Sequence, residues 1–155
     1  MRSFLARATI TALLGSAALV GTGLPATAAP VDSVSTVTAA PQSRADNAVA
    51  WFSARNGSTA YQGYCEKAVE NAYGRTGIYA SAKANWNDAV RRGAAHRGDL
   101  NPPRGALVFW NISAYGHVGL AVGDGTFWAT SVNGRIGKAR LPYFSNYLGW
   151  AWPNF

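Results

Sequence analysis

At Pro102-Pro103-Arg104-Gly105 the apolar residues of this chain change from helical spacing to the alternation of strands. That switch constrains the fold more than any other feature. Upstream, Ser43-Arg44-Ala45-Asp46 has the form of a capping box, and Ala48, Val49, Trp51 and Phe52 give a helical apolar side that ends by Gly57. A second helix is expected to begin near Cys65, carrying Ala68, Val69, Ala72 and Tyr73 and stopping at Gly74. A third is expected over 81–92, with Ala82, Trp86, Ala89 and Val90 on one side. Downstream, 106–110 and 117–122 read as short apolar strands, and Asp124-Gly125 is a hairpin turn into Thr126 to Val132. Asn133-Gly134 is a second turn signal, and 149–153 alternates as a last strand would. Helices first and an antiparallel sheet after them define an α+β domain.

The first thirty residues follow a different pattern. Arg2 and Arg7 flank the start, an apolar stretch runs from about Ala8 to Val20, and Pro25-Ala26-Thr27-Ala28-Ala29-Pro30 supplies small residues. This is the layout of a secretory signal peptide, with cleavage expected after Ala28. Thr11, Gly15 and Ser16 interrupt the run, which falls short of the roughly 20 apolar residues of a membrane span. Residues 29–43 hold one acid and no aromatic residue and read as a flexible leader. The expected organisation is therefore a signal peptide at 1–28, a leader at 29–43 and one domain at 44–155, which suits a chain of 155 residues.

The charge balance is +7 for the whole chain and +5 once Arg2 and Arg7 are removed. The basic residues are scattered, whereas a phosphate-binding face clusters them, so nucleic acid is not an expected partner. A modest positive charge outside the cell suits attraction to an anionic envelope. One Cys, two separated His and no H-E-x-x-H offer no zinc ligand set, and no phosphate loop or cofactor motif is present.

A lone Cys in an exported chain is a buried thiol, an intermolecular disulfide partner or a nucleophile. Cys65 follows Gly63-Tyr64 at an expected helix start, where free N–H groups and the helix dipole favour the thiolate. The same N–H groups could hold a developing oxyanion. Of the two histidines, His96 lies in a polar segment that reads as a surface loop, and His117 opens an apolar strand. Either His117 is a core histidine bonded to a carbonyl, or it is a base.

Three motifs, Gly63-Tyr64-Cys65-Glu66-Lys67-Ala68-Val69, Gly105-Ala106-Leu107-Val108-Phe109-Trp110 and Gly116-His117-Val118-Gly119-Leu120, resemble those of the CHAP and NlpC-type cysteine peptidases and amidases. The resemblance spans about residues 44 to 155. It implies a papain-like α+β fold, Cys65 as nucleophile, His117 as general base, and cleavage of amide bonds in peptidoglycan. The chain departs from the pattern in having Tyr64-Cys65-Glu66-Lys67 for D-C-S-G and Gly105-Ala106 for the strand Gly-Asp. NlpC-type spacing puts the third catalytic residue at Ala129, while CHAP-type patterns point to Asn133, which is the expected orienter of His117. Thr130 and Ser131 are its alternatives.

The hairpin register bears on that choice. A strict two-residue loop at Asp124-Gly125 sets His117 opposite Val132 and places Thr130 on its face. A loop one residue longer turns every side chain over and brings Ser131 and Asn133 instead. The longer loop is the expectation. The expected function is a secreted, monomeric cysteine hydrolase of bacterial peptidoglycan. Its competitors are a catalytically inactive wall-binding or inhibitory module on the same fold and a secreted toxin acting on another amide.

Overall fold

The computed structural model describes residues 39–155, so the expected signal peptide and the leader as far as residue 38 lie outside the described residues. Three helices precede a six-stranded antiparallel sheet. They are α1 (Ala39–Ser53), α2 (Cys65–Ala72) and α3 (Ala82–Arg91). The strands are β1 (His96–Arg97), β2 (Leu107–Trp110), β3 (His117–Ala121), β4 (Thr126–Val132), β5 (Arg135–Arg140) and β6 (Tyr147–Ala151), in the order β1-β6-β2-β3-β4-β5. The fold class is the expected α+β.

The helices form where apolar spacing and stop signals agree. Ser81 caps α3 by accepting from the Ala84 N–H at 3.2 Å. The final turn of α2 passes its backbone bonds to Tyr73, with Gly74 beyond it at φ 69°. The start of α1 differs from expectation. Ser43 lies inside the helix, so part of the segment read as leader is helical.

The sheet separates two buried clusters. The first joins the helices to one face through Ala48, Phe52, Val69, Trp86, Leu107, Phe109, Val118 and Leu120. The second covers the other face with Val108, Trp110, Ala121, Phe127, Ala129, Val132 and Trp150. Phe52 is fully buried in the first, so Phe52→Ala should cost about 3–5 kcal/mol. Close approach requires glycine at several positions, Gly105 and Gly119 among them. A Cβ on Gly105, at φ +88°, would stand 2.5 Å from the Ala45 Cβ, and one on Gly119 would stand 2.7 Å from the Trp128 carbonyl oxygen.

In the β3–β4 hairpin Leu120 faces Trp128 and Ala121 faces Phe127, with the Val122 N–H donating to the Thr126 carbonyl at 2.9 Å. This is the register of the longer loop. It does not carry to the end of β4. Against β5, Ala129 faces Gly137 but Val132 faces Arg135, so β4 holds one extra residue between them.

Candidate active site

Tyr64 stands at the N-cap of α2 without a side-chain cap bond, which leaves the amides of the first turn unclaimed by a cap. Cys65 is the first helical residue and is half-buried. The backbone amides of Val118, Glu66 and Cys65 itself favour its thiolate form. Val118 is the second residue of β3, so the thiol of α2 meets the strand beside His117.

His117 pairs with Trp110 across β2–β3, and its ring lies edge-on to Phe144 with centroids 4.7 Å apart. Of its two nitrogens, Nε2 is buried with no hydrogen-bond partner among the described residues. Cys65 and His117 line one cavity of about 710 Å³. Its walls are the start of α2, the loop from Thr76 to Ala82, the loop from Ile112 to Gly116, and the Thr130-Ser131 segment of β4. Tyr64 and Tyr115 are both exposed at this cavity.

The charge states differ from the sequence expectation at Cys65. Its helix-start amides do favour the thiolate, but burial outweighs them, the neighbouring Glu66 charge adds to burial, and the thiol is pushed up. Burial pushes His117 down to about 4. The resting pair is therefore a neutral thiol and a neutral imidazole.

Asn133 is not brought to this cavity. It sits in the β4–β5 turn at φ 52°, exposed. Its N–H donates to the Tyr143 hydroxyl at 2.9 Å, and that hydroxyl donates to Asn133 Oδ1 at 3.0 Å. The extra residue in β4 is the physical reason. The hairpin register alone would give Ser131 and Asn133 the face of His117, but the bulge reverses the alternation and Val132 joins that face instead. Thr130 and Ser131 line the cavity, and Thr130 Oγ1 is buried without a hydrogen-bond partner among the described residues. Ala129, at the NlpC-type position, is fully buried beside Trp110 and Phe127. His96, expected in a loop, forms the short edge strand β1 and stacks on Trp150 at 3.6 Å.

Sequence reasoning passed over Glu66. It is buried, it lines the cavity, and its Oε1 accepts from Asn85 Nδ2 of α3 at 2.7 Å. Burial pushes its carboxyl up to about 8 against the lowering effect of that bond. Glu70, one turn on, accepts the Ile78 and Tyr79 N–H groups at 3.0 and 2.7 Å and so ties the cavity loop to α2. Two acids at i and i+4 flanking the apolar Ala68-Val69 pair were the available signal. Among the described residues no group of three or more His, Cys, Asp or Glu could hold a metal ion.

No family model matches the sequence. No curated protein matches it. Among solved structures the chain is similar to the peptidoglycan hydrolase RipB from Mycobacterium tuberculosis, with TM-score 0.55 and 15% identity over 76% of this chain and 67% of that one. It also resembles the P60 domain of the antigen MAP1204 from M. avium subspecies paratuberculosis, with TM-score 0.49 and 14% identity over 70% of this chain and 94% of that one. The second likeness is too low to carry argument. The first shows that the α+β fold is shared with that structure.

Proposed function

We propose that this chain is a secreted cysteine hydrolase that cleaves an amide bond in bacterial peptidoglycan. The observation that carries the reading is the meeting of Cys65, at the start of α2, and His117 at one cavity. The likeness in fold to a peptidoglycan hydrolase supports the substrate class.

In this mechanism the Cys65 thiol gives its proton to His117 as the sulfur attacks the substrate carbonyl. The N–H groups at the helix start receive the negative charge that develops on the oxygen. The C–N bond breaks, the amine leaves with the proton from His117, and water releases the acyl group from sulfur. Residues 1–28 direct export, and the domain works as a monomer in or near the wall, without nucleic acid or membrane as partner. Digesting purified peptidoglycan with the mature protein and identifying the new ends by mass spectrometry tests the reading. New amine and carboxyl ends that disappear in a Cys65→Ser variant are the expected result.

A second reading is a wall-binding module without catalysis. The burial of Ala129 where the resemblance puts an orienting residue favours it. Retention on peptidoglycan with no released ends is its signature.

A further inference from the structure

The large cavity wraps the first turn of α2, where Tyr64, Cys65, Glu66 and Lys67 all line it. Its charged lining residues are Glu66, Lys67 and Glu70, and neither acid pairs with the lysine. Glu66 is buried against Asn85, and burial keeps its carboxyl protonated at pH 7. Glu70 is also buried, with its Oε1 accepting the Ile78 and Tyr79 N–H groups. Lys67 is exposed instead, its ammonium 6.0 Å from the centroid of the Tyr64 ring.

Elsewhere basic side chains meet acids: Arg91 and Arg92 pair with Asp88, Arg104 with Asp46 and Lys138 with Asp124. Lys67 has no acid within ion-pair distance among the described residues. The Tyr64 ring attracts its ammonium without taking any of the three N–H donors. Lys67 is also the third residue of α2, where a cation works against the helix dipole. Helix stability therefore gives no reason for a lysine here. Its placement leaves an unpaired positive charge at the cavity of Cys65 and His117, which calls for an anionic group on the substrate.

Spacing limits which anion that is. Lys67 follows Cys65 by two helical residues, about 3 Å along the axis, and one extended substrate residue spans roughly 3.5 Å. A group at Lys67 is then within a residue or two of an amide held at Cys65. In peptidoglycan the anions that close to an amide are carboxylates of the peptide stem, whereas phosphates belong to attached polymers. We propose that Lys67 is a specificity-determining residue that binds a free carboxylate within two residues of the cleaved amide, so that the preferred substrate is an acidic stem peptide rather than its amidated form. The proposal rests on the reading of Cys65 as the nucleophile at this cavity.

Three preparations of soluble peptidoglycan fragments test this: untreated, carboxyl-amidated with carbodiimide and ammonia, and stripped of phosphate polymers with hydrofluoric acid. For the mature wild-type protein, amidation should raise KM roughly five-fold with kcat held, and stripping should change neither. Lys67→Met should raise KM on untreated fragments by the same factor and add nothing on amidated ones. It should unfold at the wild-type temperature or slightly above. A Lys67→Met KM equal to that of wild type, or a loss as large on amidated fragments, would overturn the proposal. A loss that follows phosphate stripping would overturn it in favour of phosphate. If no fragment is cut, the hydrolase reading fails, and calorimetric Kd values for the same fragments still decide the role of Lys67, with the same five-fold pattern expected.

Discussion

Asn85 of α3 donates from Nδ2 to Glu66 Oε1 across 2.7 Å, and both side chains are buried beside the start of α2 at Cys65. Glu66 Oε2 has no hydrogen-bond partner among the described residues, and burial pushes the carboxyl up from the ordinary 4.5 to about 8. The folded protein therefore binds a proton that the unfolded chain has released between those two values. Stability falls as pH rises through that window.

Glu66→Gln keeps an oxygen for Asn85 and removes the charge. It should leave stability at pH 4 nearly unchanged and raise it at pH 9 by on the order of 2 kcal/mol. Urea unfolding at the two pH values checks this. An equal effect at both would show that the carboxyl is not neutral in the folded state at pH 7.

His117 has the opposite sign. Its folded value near 4 lies below the ordinary 6.5, so the unfolded chain takes up a proton first as pH falls. Stability is lost progressively from about pH 6.5 down to 4. His117→Phe should flatten that acid slope in a melting-temperature series and abolish hydrolysis at every pH.

Asn133 and Thr130 separate a turn from a cavity wall. Asn133→Ala loses the bonds to Tyr143 and places a side chain at φ 52° without the Asn preference for it, a cost of about 1 kcal/mol. Its activity should stay within two-fold of wild type, taking roughly 0.4 kcal/mol as the matching free energy. Thr130→Ala should be the more damaging to hydrolysis, because Thr130 lines the Cys65–His117 cavity. Parallel assays on peptidoglycan, with melting curves to confirm folding, distinguish the two.

Much of this arrangement is legible in the sequence. Helical spacing marked α2, ending at Gly74, and α3, and the turn Asp124-Gly125 marked the β3–β4 hairpin with its longer loop. The motifs around Cys65 and His117 named two residues that the fold brings to one cavity. Beyond that, local pattern failed where tertiary pairing decides. The bulge in β4 comes from pairing with β5, a strand whose Arg135, Lys138 and Arg140 hid its alternation, and it displaced Asn133 from the face of His117. Likewise, the helix start at Cys65 suggested a thiolate, but only packing against β3 shows how far burial opposes it.

Cys65→Ser offers the most direct measurement. The hydroxyl retains the size and the hydrogen bonds of the site but is a far weaker nucleophile beside so poor a base. The mature wild-type protein should release new amine and carboxyl ends from purified peptidoglycan, and Cys65→Ser should release none while unfolding at nearly the same temperature. A Cys65→Ser protein that digests peptidoglycan as fast as wild type, or a wild-type protein that binds peptidoglycan and cuts nothing, would contradict a cysteine hydrolase.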